Sequence, residues 1–186
     1  SRRSHQREVL LVSDSPLISD AYREQQAALH STGKYGHAAR QFGEMVQKAM
    51  KAVGARSLLD YGCGSNRSLL QAITLPDDVV YEGYDPCVPA YAADPYPADL
   101  VVCIDVLEHI EPHLLDNVLD HLMSVCDPHG LFTIDTGPAI KTLPDGRNAH
   151  LIQQPLSWWL PRLQIRFEVL ESGATPGGFF VFVRRT

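Results

Sequence analysis

Four short apolar runs, each stopping at an acidic residue or a glycine, constrain this chain more than any other feature. They are "RSLLDYG" (56–62), "VVYEGYD" (79–85), "DLVVCID" (99–105) and "GLFTIDT" (130–136). Between some of them lie helical patterns, one over about 66–73 and one over about 114–126. The second carries Leu115, Val118, Leu119, Leu122 and Val125 at three- and four-residue spacing. Apolar strands alternating with helices form right-handed strand–helix–strand units around a parallel sheet with both faces covered. After Pro161 the pattern changes to two strands, "IRFEVLES" and "GFFVFVRR", joined by "GATPG". That joint is a hairpin turn, so the sheet is expected to close with an antiparallel pair. The fold class is therefore α/β, a doubly wound, mostly parallel sheet with an antiparallel C-terminal hairpin.

The first 54 residues read differently. Residues 1–16 are polar and form an arm. A first helix is expected from about Ile18 to His30, broken by "STGKYG". A second runs from about His37 to Val53, with Ala38, Phe42, Met45, Val46, Ala49 and Val53 on one face and Gly54 at its end. The organisation is one domain overall, an N-terminal arm and helical cap (1–54) on a core (55–186). Hydrophobic residues at 45% and charged residues at 20% exclude a disordered chain. The net charge of −6 weighs against a partner bound through a phosphate backbone. No apolar run approaches the roughly 18 residues of a membrane span, and the first residues do not resemble a signal peptide, so a soluble, cytoplasmic protein is expected. Cys63, Cys87, Cys103 and Cys126 form no Cys-x-x-Cys pair, and Cys103 and Cys126 read as buried core residues.

The stretch "SLLDYGCGSNRSLL" (57–70) reads as strand, tight turn and helix. Gly62 and Gly64 let backbone approach a ligand, and the helix would present free N–H groups. Asp60 can accept hydrogen bonds from an ammonium group. Asp85 ends the next strand, 25 residues on, where a ribose diol lies in a doubly wound sheet. With "LLDYGCGSN", "YEGYDP" and "ADLVVCIDVLEHIEP" in that order, the chain resembles the class I S-adenosylmethionine-dependent methyltransferases over about residues 56–183. The resemblance implies a Rossmann-like fold with S-adenosylmethionine as cofactor. It implies that Asp60, Gly62 and Gly64 cradle the methionine end, that Asp85 holds both ribose hydroxyls, and that Asp105 sits beside the cofactor. Tyr61, Asn66, Pro86 and Val106, next to those positions, complete the expected contacts. His30 and Tyr35 would cover the cofactor from the N-terminal side. A nicotinamide enzyme would want a third glycine in Gly-x-Gly-x-x-Gly, which the loop Gly62–Arg67 lacks.

Two departures from the family shape the expectation. Asn66 stands where the family has a third glycine, and asparagine tolerates left-handed backbone. Only thirteen residues, 86–98, with four prolines, separate the second-strand acid from the next strand. The family's helix, strand and further helix cannot fit there. The third strand is thus expected to be reduced or missing, leaving six strands with the second near the sheet edge. Asp94, the one acid inside that interval, reads as a solvated loop residue.

On the substrate side, "DVLEHIEPH" would place Asp105, Glu108 and His109 on one helix face if a helix starts near Asp105. A similar acid-x-x-Glu-His motif supplies metal ligands in ubiquinone-biosynthesis O-methyltransferases and small-RNA 2′-O-methyltransferases, with a further histidine after the fifth strand. His150 stands in that place. Three versions stay open: Asp105, Glu108, His109 and His150 hold a divalent metal, His109, His150 and Glu108 do acid–base work without one, or these residues are purely structural. Glu111, His113, His121 and His129 read as exposed helix or turn residues. Trp158 and Trp159 read as a pocket lid or as packing against the sheet. The expected activity is methyl transfer to an O or N nucleophile on an unidentified, small-molecule acceptor. The alternatives are a non-catalytic S-adenosylmethionine-binding partner or sensor module, and an RNA 2′-O-methyltransferase.

Overall fold

The computed structural model describes residues 15–30 and 38–186. Six strands make one sheet: β1 (Ser57–Tyr61), β2 (Val80–Tyr84), β3 (Ala98–Ile104), β4 (Cys126–Asp135), β5 (Phe167–Thr175) and β6 (Gly178–Arg185). Their order is β2-β1-β3-β4-β6-β5. The first four run parallel, and β6 lies antiparallel to both β4 and β5. This is the expected doubly wound sheet with its closing hairpin. The sheet turns from β2 to β3 on either side of β1, which opens a crevice at the carboxyl ends of β1 and β3.

Strands β1 and β3 are buried on both faces. Leu59, Val101 and Cys103 face α3 (Leu115–Val125) and α4 (Leu156–Gln164), together with Phe132, Trp159 and Phe167. Leu58, Leu100, Val102 and Ile104 face α2 (Gly43–Val53) through Phe42, Val46 and Met50. The period-two division between two apolar layers explains why these strands read as continuous apolar runs. Cys103 and Cys126 are fully buried, as expected. The C-cap of α2 is Gly54 at φ 63°, and the N–H groups of Gly54 and Ala55 return to Lys51 O and Met50 O. Ahead of α2 lies one tighter turn of helix, Ala38–Phe42, and α1 is Asp20–His30.

The connection 86–98 contains only a single three-residue helical turn, Pro89–Tyr91, and β2 is an edge strand. The expected reduction of the third strand is what the structure has. The helix expected over 66–73 is absent. Arg67 takes φ 46°, a left-handed conformation that interrupts α-helix, and the segment is a chain of turns closed by Leu70 N–H to Arg67 O and Ala72 N–H to Leu69 O. Its buried members, Ser68 and Leu69, still plug the sheet end. Among the described residues no helix is long and apolar enough to cross a membrane.

Arg166, 7% exposed at the start of β5, ties the end of α4 to α3. Its Nε donates to Asp120 Oδ1 at 2.5 Å and its Nη2 to Asp116 Oδ1 at 3.1 Å. Both carboxylates are exposed, so they remain hydrated if the arginine is lost and only the bonds and the packing of the arginine stem are forfeited. Arg166→Ala should lower unfolding stability by about 1–3 kcal/mol in urea titration. Asp116→Asn should cost less than half of that.

Candidate active site

The carboxyl ends of β1, β2, β3 and β4 and the front of α1 enclose a cavity of about 500 Å³. Asp60, Gly62 and Gly64 enter it from β1, Asp85 and Pro86 from β2, and Asp105, Val106 and His109 from β3. Asp135 and His150 reach it from β4 and the long connection after it, Tyr22 and Gln26 from α1, and Ile18 from just before it. Eight of the expected cofactor residues therefore line one space. Tyr61 is one of them, while its hydroxyl lies 2.8 Å from His121 Nδ1 in the core. Asn66 does not line it, and the left-handed residue of the turn is Arg67 instead. Tyr35 lies outside the described residues, as does the side chain of His30.

Gly62 and Gly64 have φ 84° and 64°, where an L side chain is strained. The Gly62 N–H donates to Tyr84 O at 2.7 Å, so the turn is pinned across the sheet. Asp85 fastens two loops at once: its Oδ2 accepts from Gly64 N–H at 3.0 Å and its Oδ1 from Cys87 N–H at 2.9 Å. Asp60 is 3% exposed, and its Oδ2 accepts from the Tyr81 hydroxyl at 2.9 Å. Burial outweighs that bond and, with help from the nearby Asp85 charge, pushes the Asp60 carboxyl up to about 7. A buried acid so poised favours a cation brought beside it. Tyr81 escaped sequence reading because its contact is a cross-strand diagonal. Gly83, opposite Asp60, leaves the room, since a Cβ there would come 3.3 Å from the Tyr81 hydroxyl.

No helix starts at Asp105. The residue takes φ 51°, and two short helical turns follow, Leu107–His109 and Pro112–Leu114, with extended backbone at Ile110 and Glu111 between them. Pro112 disfavours helical backbone at the residue before it, which separates the turns. Thr133 supports the left-handed Asp105: its Oγ1 donates to Asp105 Oδ1 at 2.6 Å and accepts from Asp105 N–H at 3.0 Å. Three of the four expected substrate-side residues still converge. Glu108, His109 and His150 each offer a ligand atom, and those atoms lie within 4.8 Å of one another. Asp105 stands outside that group, its shorter carboxylate taken up by Thr133.

Glu108 is fully buried and does not line the cavity. Its Oε1 accepts from Asp135 N–H at 3.0 Å, and its buried Oε2 has no partner among the described residues. Burial, with the Asp105 charge second, pushes this carboxyl well above the usual range. His109 Nδ1 lies 2.8 Å from Ala149 O, and His150 Nδ1 lies 2.7 Å from Gly137 O. A carbonyl only accepts, so the Nδ1 of each imidazole is the donor in these bonds. The rings meet edge to face with centroids 4.7 Å apart.

Two residues expected on the surface are buried. Glu111, 8% exposed, accepts from Ser19 N–H at 2.8 Å and Ser19 Oγ–H at 2.7 Å, which docks the start of α1 on the site. His121, 5% exposed, packs between Tyr61 and Tyr84. The pattern of α3 did not reveal this, because His121 lies on the apolar face with its Nδ1 met by a tyrosine from another element, while its buried Nε2 has no partner among the described residues. His113 and Asp94 are exposed as expected, and His129 is half-buried, stacked on Phe182. Neither Trp158 nor Trp159 lines the cavity, and Trp159 is fully buried in the core, so neither forms a lid. The sequence reading also missed Tyr22, whose hydroxyl donates to His109 O at 2.6 Å, and Asn148, which holds the chain before His150. The Tyr22–Gln26 spacing of one helical turn was the only signal for either.

Residues 24–175 match the profile of a family described as a methyltransferase domain. The match spans most of the chain, which belongs to that family and is a class I S-adenosylmethionine-dependent methyltransferase. Solved structures share the fold. The 1,6-didemethyltoxoflavin N1-methyltransferase of Burkholderia thailandensis, bound to its acceptor and S-adenosylhomocysteine, aligns with a TM-score of 0.65 at 17% identity, covering 94% of this chain and 93% of that one. Magnesium protoporphyrin IX methyltransferase from Synechocystis, with bound S-adenosylmethionine, gives 0.54 at 18% identity over 79% of each chain. An rRNA methylase from Escherichia coli gives 0.51 at 16% identity, covering 91% of this chain and 78% of that one. No curated protein sequence matches the chain.

Gly62 is the backbone position the site tolerates least change in. A Cβ there would stand 2.4 Å from Val106 Cγ2, at a left-handed φ. Gly62→Ala should lower unfolding stability by about 2 kcal/mol, part of it the left-handed penalty of roughly 1 kcal/mol. Adding Val106→Ala should recover the clash but not the backbone share, read as partial recovery in thermal unfolding without ligand.

Proposed function

We propose that this methyltransferase moves the methyl group of S-adenosylmethionine to an O or N nucleophile on a small-molecule acceptor bound in the same cavity. The observation that carries the reading is the convergence of two acids, two left-handed glycines and two imidazoles on one space. Asp60 holds the ammonium of the methionine end, and Gly62 and Gly64 let the backbone lie against it. Asp85 accepts from the ribose hydroxyls with the carboxylate lone pairs that Gly64 and Cys87 leave open. Pro86 and Val106 are the apolar walls beside it. The acceptor's nucleophilic atom forms a bond to the methyl carbon as the carbon–sulfur bond breaks in line, and S-adenosylhomocysteine leaves. The sulfonium supplies the activation, so the protein aligns the partners and takes a proton. His109 and His150 offer that base through Nε2, since Nδ1 of each is fixed on a carbonyl.

The residues also fit a divalent metal. The unpartnered, buried Oε2 of Glu108 stands with two imidazoles whose Nδ1–H groups are anchored on backbone carbonyls, the outer-shell arrangement of metal-binding histidines. Glu108, His109 and His150 would hold the ion, a donor set that suits zinc, iron(II) or manganese. When bound, such an ion supplies Lewis acidity that eases removal of the acceptor's proton. A small acceptor is favoured over RNA because the cavity lining carries Asp60, Asp85, Asp105, Glu111 and Asp135 against the single ammonium of Lys141.

Two measurements test this reading. In the empty protein Asp60 is half-protonated near pH 7, and an ammonium partner requires it ionised, so cofactor binding must release a proton. S-adenosylhomocysteine should bind about tenfold more weakly at pH 6 than at pH 8 by calorimetry. Asp60→Asn should weaken binding at pH 8 and flatten the profile, and a wild-type affinity equal at both pH values would contradict the assigned contact. Metal analysis of the purified protein should find about one equivalent of a divalent ion that Glu108→Gln and His150→Ala each lose. A protein that binds S-adenosylhomocysteine and retains no ion after incubation with zinc, iron(II) or manganese leaves the imidazoles as metal-free bases.

A further inference from the structure

The chain between β4 and α4 folds as a pinned hairpin. Asn148 clamps it: its Oδ1 accepts from Ala139 N–H and His150 N–H, both at 2.9 Å, and its Nδ2 donates to Ala139 O at 2.8 Å. Thr142 and Asn148 pair as an isolated antiparallel bridge, and Leu143 N–H donates to Arg147 O. Leu143 and Ala149 are buried with Ile18 and Tyr22 in a small apolar cluster of their own. The hairpin therefore has apolar anchors on its inner side and a fixed backbone.

Against that order, Ile140 is completely exposed, at 104%. A solitary exposed apolar side chain needs no explanation. Ile140 is not solitary: it lines the cavity in sequence with Pro138 and Ala139, and Leu17 and Ile18 from the front of α1 line the same cavity. Asp105, Asp135, His109 and His150 come instead from the ends of β3 and β4 and from the base of the hairpin, and Lys141 follows Ile140. The cavity thus has its acids and imidazoles at the reacting end and, between the polar Tyr22, Gln26 and Lys141, an apolar surface made by Leu17, Ile18, Pro138, Ala139 and Ile140. A ligand site with few convergent polar groups and apolar walls orients its ligand by the former and binds it by the latter.

We propose that the Asn148-clamped hairpin 137–150 is the acceptor-recognition element, and that the acceptor is a largely apolar ring compound carrying a single O or N nucleophile, its body packed on Ile140. Ile140 is then a specificity-determining residue, and Asn148 a positioning residue that sets both the Ile140 wall and the His150 backbone. This rests on the methyl-transfer reading of the cavity. Acceptors built on sugars would place hydroxyls against Pro138, Ala139 and Ile140, which offer no side-chain partner for them.

The test uses the full chain saturated with S-adenosylhomocysteine and the intrinsic fluorescence of 1-naphthol as the apolar probe, with adenosine and glucose as competitors. The naphthol should bind saturably, and neither competitor should displace it at a hundredfold excess. Ile140→Asn should raise its dissociation constant at least fivefold while Ile140→Leu stays within twofold of the wild type, and S-adenosylhomocysteine affinity should be unchanged within twofold in both. Asn148→Ala should weaken the naphthol with no loss of S-adenosylhomocysteine affinity. Displacement by adenosine, or an Ile140→Asn protein that binds naphthol like the wild type, would overturn the proposal. Failure of S-adenosylhomocysteine itself to bind would instead sink the cofactor reading beneath it.

Discussion

Asp85 accepts one backbone N–H from the first glycine turn and one from the loop after β2, and the cofactor end of the cavity depends on that pair of bonds. The two loops leave adjacent parallel strands and have no ladder to hold them together once the strands end. A carboxylate bridging two amides is stronger than a neutral hydrogen bond and keeps lone pairs for a ligand. Asp60, one strand over, receives only the Tyr81 hydroxyl and is buried as deeply, so its carboxyl titrates near neutrality. The two acids have unlike partners: one bridges backbone amides, the other accepts a side-chain hydroxyl.

The acceptor end is held by side chains that act on backbone. Tyr22 bonds His109 O, Glu111 bonds Ser19, Asn148 bonds Ala139 and His150, and each imidazole is oriented by a carbonyl. None of these contacts is with a neighbour in sequence, apart from the local turn at Asn148. The front of α1, the turns after β3 and the hairpin after β4 form one bonded unit around Glu108. Glu108 is the only one of the three potential ligands with no exposed surface, so whatever satisfies its second oxygen must reach it from between the two histidines.

What the sequence disclosed followed from period and length. The apolar runs at 56–62, 79–85, 99–105 and 130–136 became the four parallel strands, since burial on both faces leaves no polar alternation to confuse the reading. The thirteen residues of 86–98 bounded the topology by chain reach alone. The acids at strand ends were legible because a doubly wound sheet puts such positions at its crevice. The helix at 66–73 was not disclosed correctly, because its pattern is short and a left-handed Arg67 overrides it. The one-face helix through Asp105, Glu108 and His109 failed for a related reason: strained backbone at Asp105 is stabilised by Thr133, 28 residues away. Glu111 and His121 were misplaced because a charged or polar residue reads as exposed unless its partner is known, and Ser19 and Tyr61 are distant in sequence.

The ends of β1 and β2, where the shortened connection begins, bury polar groups. Among the described residues β2 ends the sheet, and only one helical turn follows it before β3. Tyr61 and Tyr84, the last residues of β1 and β2, lie with ring centroids 5.0 Å apart, and His121 from α3 packs against both within 5.5 Å. Large rings carry volume into the core, and their polar tips need partners there. The Tyr61 hydroxyl and His121 Nδ1 satisfy each other, so the cluster carries a directional bond between β1 and α3. That bond sits one residue before Gly62, and Tyr84, which supplies the carbonyl for the Gly62 N–H, sits one residue before Asp85. The same cluster thereby also supports the turns that follow β1 and β2.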